Sequence, residues 1–142
     1  MSYVIVDASV SLKWALNDEK YVAQAVALRD AAIRERRFEM LAPSLWVYEV
    51  ANGLLVAARR TRIDVPLGEE ALRHILALGV RLVDPAPVET YREAERFGIA
   101  AYDAAYLALA RAINAPLWTG DWRFYEAVRR QTNLVRWIGD FR

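Results

Sequence analysis

The sequence contains no cysteine, which excludes disulfides, thiolate metal sites and a cysteine nucleophile and fits a cytoplasmic chain. It has a single histidine, His74, in a helical stretch far along the chain from any acidic motif. That residue reads as a solvated surface side chain, so acid–base chemistry run by paired histidines is excluded. Lysine is nearly missing as well: of nineteen basic side chains, all but Lys13 and Lys20 are arginine. The planar fork of arginine suits phosphate, and the same bias fits a thermophilic or compositional origin. The formal net charge is only +1, so bulk charge announces no polyanionic partner. Long apolar runs are lacking too. The most apolar stretch, Leu45 to Ala58, is interrupted by Glu49, Asn52 and Gly53 and is too short to cross a bilayer, so no membrane is expected. The N-terminus has no basic region followed by an apolar run and a small-residue cleavage site, so no export signal is expected. With no repeat, low-complexity tract or linker, residues 1–142 read as one domain.

What is present is ample core material, 56% hydrophobic residues, arranged as alternating strand and helix patterns. Tyr3 to Val6 is a β-branched apolar run, the pattern of a buried first strand. Further strands are predicted at Met40–Ala42, Val80–Val83, Ala115–Thr119 and Leu134–Ile138. Helices are predicted at Ser9–Leu16, Glu19–Arg36, Ser44–Arg60 with Ser44 as its cap, Pro66–Leu78, Val88–Phe97, Tyr102–Ile113 and Trp122–Arg130. Gly79 and Gly98 serve as stops. This alternation predicts an α/β fold with a parallel sheet covered on both faces.

On that map Asp7 lies at the carboxyl end of the first strand and Asp121 just past the carboxyl end of the fourth, where open parallel sheets bind ligands. Asp103 opens a helix, and Glu49 sits one turn into another, on a face shared with Leu45 and Gly53. Asp7, Asp103 and Asp121 also stand where an acid caps a helix, so position alone leaves cap and ligand both open. Glu49 gains nothing from capping. Four acids converging on one cleft repel one another, and a divalent cation is the usual resolution. With oxygen donors only, the suitable ion is Mg²⁺ or Mn²⁺. A phosphotransfer enzyme with an aspartyl nucleophile is a poor fit, because position 9 is Ser and no Lys follows Lys20.

Four segments then carry a resemblance that spans nearly the whole chain: Val4-Ile5-Val6-Asp7-Ala8-Ser9, Pro43 to Asn52 with Glu49 followed three residues later by Asn52, Gly98 to Ala110 around Asp103, and Leu117-Trp118-Thr119-Gly120-Asp121. In this order and spacing they resemble the PIN-domain nucleases, and among them the VapC-type toxins of toxin–antitoxin pairs. The resemblance implies a three-layer α/β/α fold with a five-stranded parallel sheet and Mg²⁺- or Mn²⁺-dependent hydrolysis of RNA. It makes Asp7, Glu49, Asp103 and Asp121 the catalytic, metal-binding acids, with Asp7 and Asp103 foremost as direct ligands. Ser9 and Thr119 would support the network, and Asn52 would orient Glu49. A homodimer and silencing by a VapB-like antitoxin are implied as well, Trp14, Trp46 and Tyr48 being candidates to line a groove for the antitoxin. Arg59, Arg60, Arg62, Arg129 and Arg130 are candidates for RNA phosphate, against the reading that they are solvated, dipole-favoured helix ends. Two departures from the pattern are Trp118, bulky for that strand, and Gly120, where Ala is more common. The same resemblance covers PIN nucleases that process RNA or police its quality, and a non-catalytic binding module on this fold, although the latter would be marked by loss of an acid.

Overall fold

In the computed structural model, which describes residues 2–142, side chains of the first strand alternate between two cores. Val4 and Val6 pack into one apolar cluster and Ile5 into the other, as the two-residue period of a strand requires. The strands are β1 (Tyr3–Val6), β2 (Glu39–Ala42), β3 (Arg81–Leu82), β4 (Leu117–Thr119) and β5 (Val135–Trp137). The helices are α1 (Ala8–Ser11), α2 (Val22–Ile33), α3 (Leu45–Arg59), α4 (Val65–Leu76), α5 (Pro87–Phe97), α6 (Ala101–Ile113) and α7 (Trp122–Val128), with 3₁₀ turns at Leu12–Trp14 and Ile138–Asp140. The sheet has five strands in the order β3-β2-β1-β4-β5, every neighbouring pair parallel. This is the α/β architecture expected from the sequence.

The chain winds outward from β1 in both directions, so β1 and β4 flank the point where the strand order reverses. Their register, Ile5 opposite Leu117 and Val6 opposite Trp118, brings both carboxyl ends level. Ligands of open α/β sheets collect at such a point. One face carries the larger cluster, where Trp46, Val50 and Leu54 of α3 meet Leu107 and Ala110 of α6. The other carries Ala25, Leu28 and Ala31 of α2 with Phe141. Trp118 is absorbed on this second face, edge-on to Phe141 at 5.1 Å between centroids, so its bulk points away from the carboxylates that the alternation aims at α3 and α6.

Several predicted ends move for local reasons. The helix after Asp7 lasts one α-turn before tightening into the 3₁₀ turn. Tyr21 takes a left-handed φ of 61°, so α2 begins at Val22 rather than Glu19. Ser44 does not cap α3: its backbone is already helical, and its N–H and hydroxyl both donate to Asp84 at 2.7 Å. An acid forty residues away thereby satisfies the start of that helix. Gly98 ends α5 at a φ of +65°, a conformation that an L side chain adopts only with strain.

Candidate active site

The two acids at the sheet's reversal point are built alike. Asp7 caps α1: its Oδ1 accepts the backbone N–H of Ser9 at 2.9 Å and of Val10 at 3.3 Å, and also the Ser9 hydroxyl. Asp121 caps α7: its Oδ1 accepts the N–H of Arg123 at 3.0 Å and of Phe124 at 3.3 Å. Two hydroxyls tie these corners together. The Gly120 N–H donates to Ser9 Oγ at 2.7 Å, the Asp121 N–H donates to Thr119 Oγ1 at 3.0 Å, and the two hydroxyl oxygens are 3.4 Å apart. Ser9 and Thr119 therefore lock the end of β1 to the end of β4.

The other two acids arrive from helices on the α3–α6 face. Asp103 is the third residue of α6 and caps nothing; its carboxylate has no hydrogen-bond partner among the described residues. Glu49, half-buried on α3, accepts the Tyr106 hydroxyl through Oε1 at 2.5 Å. Tyr106 is itself buried and lies one turn beyond Asp103 on α6. Burial, and then the charges of Asp7 and Glu49 and its bond to Glu49, hold its phenol far above the ordinary tyrosine value, so it is a neutral donor.

Electrostatics connect all four carboxylates. Burial pushes Asp7 up to about 7 and the Asp121 charge adds to it, against hydrogen bonds from Ser9, Thr119 and Val10 that pull it down. Burial raises Glu49 above the usual range, the Asp103 charge reinforcing it and the Tyr106 bond opposing it. Asp103 is raised by burial and then by Asp121. The chain of couplings runs Asp7–Asp121–Asp103–Glu49, so each acid feels at least one other. None takes part in any of the ion pairs among the described residues, all of which use other acids. Among the described residues Asp121 and Glu49 each leave one oxygen without a hydrogen bond, whereas Asp7 is held by Ser9, Val10 and Thr119.

Among the described residues, no three acidic or histidine side chains stand close enough together, as placed, to hold a metal ion. To hold an ion the carboxylates would have to draw together, and the repulsion this entails is what a cation would relieve. The donor set is oxygen only, has no cationic side chain to neutralise it and keeps free oxygens, which fits a hard divalent ion such as Mg²⁺.

Some sequence expectations change. Asn52 is exposed and makes no hydrogen bond to Glu49 among the described residues; Tyr106 holds that carboxylate. The signal for Tyr106 was its i+3 spacing from Asp103, but only the fold reveals that it reaches α3. Trp46 lines no groove: it is 1% exposed and donates its indole N–H to Ser11 Oγ at 2.9 Å. Trp14 does line a groove of about 740 Å³, together with Leu16, Ile63, Leu67, Ala71 and Ile75. Tyr48 is open to solvent and not part of it. Arg62 is taken up by Asp18 and Glu19, at 2.7 and 2.8 Å, so it is not free for phosphate. Arg59 and Arg60 remain exposed. Arg129 and Arg130 border a hollow that Arg111 shares.

Known proteins share the fold and the sequence pattern of this chain. The family profile described as the PIN domain matches residues 4–129. The chain is 34% identical over 132 residues to Ribonuclease VapC9 of Mycobacterium tuberculosis and to VapC ribonuclease Mb0985 of Mycobacterium bovis, covering 93% of this chain and 96% of each relative. The crystal structure of PAE2754 from Pyrobaculum aerophilum superposes with a TM-score of 0.72 at 27% identity, covering 96% of this chain and 84% of that one. With the motifs, the parallel sheet and these relatives in agreement, the chain belongs to the PIN-domain family, among its VapC-type members.

Proposed function

We propose that this protein is an Mg²⁺- or Mn²⁺-dependent endoribonuclease and the toxin of a toxin–antitoxin pair. The observation that carries the reading is the set of four electrostatically coupled carboxylates without a cationic partner. Among its relatives are proteins named ribonucleases and VapC, which favours RNA as substrate and a VapB-like antitoxin as partner. The retention of all four acids speaks against a non-catalytic module.

Asp7 and Asp103 would ligate the ion directly, with Glu49 and Asp121 completing the set. When bound, such an ion supplies a Lewis acid that activates water for attack on phosphorus and offsets charge on the departing oxygen. The chain's own contribution is placement. Ser9 and Thr119 fix the relative position of Asp7 and Asp121, and Tyr106 fixes Glu49. The raised pKa values of Asp7, Glu49 and Asp103 belong to the metal-free site, and a bound divalent ion would lower them and keep these carboxylates ionised as ligands. The groove lined by Trp14 and Ile63 has the apolar floor and charged rim suited to an antitoxin segment. A homodimer and a cytoplasmic location, where RNA is met, complete the reading; no helix is long and apolar enough to cross a membrane.

The test is cleavage of a panel of RNAs by purified protein. Activity that disappears in EDTA and returns with Mg²⁺ or Mn²⁺ supports the proposal, and undiminished cleavage in chelator rejects the mechanism. Induced expression separates the toxin from a processing enzyme. Growth arrest that an Asp103→Asn variant does not cause marks a toxin, and harmless expression of an active nuclease marks the alternative.

A further inference from the structure

Beside the acid cluster lies a second hollow, of about 450 Å³, lined by Lys13, Glu19, Lys20, Tyr21, Gly120, Trp122 and Trp137. It adjoins the cluster through the chain itself, since Gly120, Asp121 and Trp122 are consecutive. The chain's only two lysines both border it.

Its wall is an interlocked set of rings. Trp137 meets Tyr21 edge-on at 5.5 Å and Trp122 edge-on at 5.1 Å, and Trp122 leans on Tyr125 at 5.5 Å. The Arg129 guanidinium backs the set, 5.2 Å from the Tyr125 ring and 5.8 Å from that of Trp122. Gly139 allows this packing, because a Cβ there would lie 2.7 Å from Trp137 Nε1. Yet the rings are not sealed: Trp122 is 50% and Tyr21 40% exposed. Trp14 and Trp46 give their indole N–H groups to internal acceptors, whereas Trp122 and Trp137 form no such bond among the described residues. Scattered exposed apolar side chains are ordinary; a rigid, half-open aromatic wall with spare donors is not scattered.

The charges are placed to suit an anionic ligand next to an acidic site. Lys13 is buried and runs across Gly120, where a Cβ would come within 2.7 Å of its Cε. Its ammonium faces Glu19 at 3.7 Å, and Glu19 is also bound by Arg62. Lys20 is exposed and has no ion pair among the described residues. Both lysines line the hollow, where a phosphate of a strand laid beside the acids would meet their positive charge. π-Faces for bases beside cations for phosphates are the two components of single-strand recognition.

We infer that the Tyr21–Trp122–Trp137 hollow is a nucleobase subsite, stacking a base of single-stranded RNA next to the scissile phosphodiester while Lys13 and Lys20 face its phosphate. The inference rests on the ribonuclease reading above and deepens it by assigning where a neighbouring nucleotide is held. Trp122 is a binding residue here, not a catalytic one.

The experiment uses a single-stranded oligoribonucleotide and its counterpart with an abasic residue beside the cleavage point. Wild-type protein and the Trp122→Ala and Trp122→Phe variants are compared. Trp122→Ala raises KM about tenfold and leaves kcat within about twofold. Trp122→Phe restores most of the affinity. The abasic substrate suffers a similar loss with wild-type protein and little further loss with Trp122→Ala. Binding without cleavage, read by fluorescence polarisation in the Asp103→Asn background, shows the same drop on removing Trp122. If RNA is cleaved with an unchanged KM in Trp122→Ala, or the abasic penalty persists at full size in that variant, the subsite is wrong and the nuclease reading survives. A shift in oligomeric state with unchanged KM would assign the aromatic wall to a protein contact instead. If the wild-type protein neither binds nor cuts any RNA, the nuclease reading fails and the subsite with it.

Discussion

The Tyr106 hydroxyl donates to Glu49 across the gap between α6 and α3, joining the third acidic segment of the chain to the second. Tyr106 is buried and Glu49 half-buried, and the bond fixes which way the Glu49 carboxylate faces. Tyr106→Phe keeps the ring in the core and removes only the donor. Partners of this kind alter activity or metal affinity by about ten- to a hundredfold when lost, whereas fold stability is expected to fall by only about 1–3 kcal/mol. Without the bond, which lowers the Glu49 pKa, the acidic limb of the pH–rate profile moves upward. Steady-state kinetics across pH, set beside a urea melt, check both parts.

Asp103 differs from the two capping acids in a way that mutagenesis can read. It accepts no hydrogen bond and is raised by the Asp121 charge, so Asp103→Asn relieves repulsion without breaking a contact. The variant is expected to melt at the same temperature as wild type or higher while losing cleavage. Asp121→Ala removes the cap of α7 and is expected to lose activity together with about 1 kcal/mol of stability. Thermal melts paired with cleavage assays distinguish a ligand that also caps from one that does not.

Proton linkage gives a pH signature for the metal-free protein. Asp7 is held near 7 in the folded state against 3.8 as its ordinary value, so between these values the native state binds more protons than the unfolded chain. Stability is therefore fully present below about pH 4 as far as this group is concerned, and is lost as pH rises toward 7, by roughly 4 kcal/mol at most. Glu49 and Asp103, also raised, act in the same direction. A divalent ion competes with those protons, so Mn²⁺ is expected to stabilise the protein more at pH 8 than at pH 6. Melting temperatures in EDTA and in Mn²⁺ across this range test the sign; a metal-free protein that gains stability from pH 4 to 7 would contradict it.

Gly98 supplies a control away from the chemistry. Its φ of +65° ends α5 just before α6 delivers Asp103, and open space surrounds the position a Cβ would take. Gly98→Ala is expected to cost about 1 kcal/mol from backbone strain alone, with kcat preserved. Denaturant unfolding alongside a cleavage assay checks the separation.

Most of the fold is legible in the sequence because its signals are local. The β-branched run at Tyr3–Val6 marks the first strand and Gly98 marks the end of α5, although α4 stops at Leu76, short of Gly79. Asp7 and Asp121 follow the two strands that flank the reversal point, so their nearness can be read once the strand order is granted. Long-range contacts are another matter. Nothing near Ser44 indicates that Asp84 supplies the cap, and nothing near Glu49 indicates that its partner is Tyr106 rather than Asn52, one turn away on the same helix. Trp46 and Trp122 illustrate the same limit: both are tryptophans in helical stretches, and only packing makes one a core residue and the other half-open. Lys13 reads as one of two odd lysines until the fold lays it across Gly120.

The central claim is that Asp7, Glu49, Asp103 and Asp121 together hold a divalent ion. Its most direct test is a crystal grown or soaked with Mn²⁺ and measured near the manganese absorption edge. The account predicts an anomalous peak within coordination distance of Asp7 and Asp103. A fully occupied Mn²⁺ elsewhere, with nothing between these carboxylates, would contradict it.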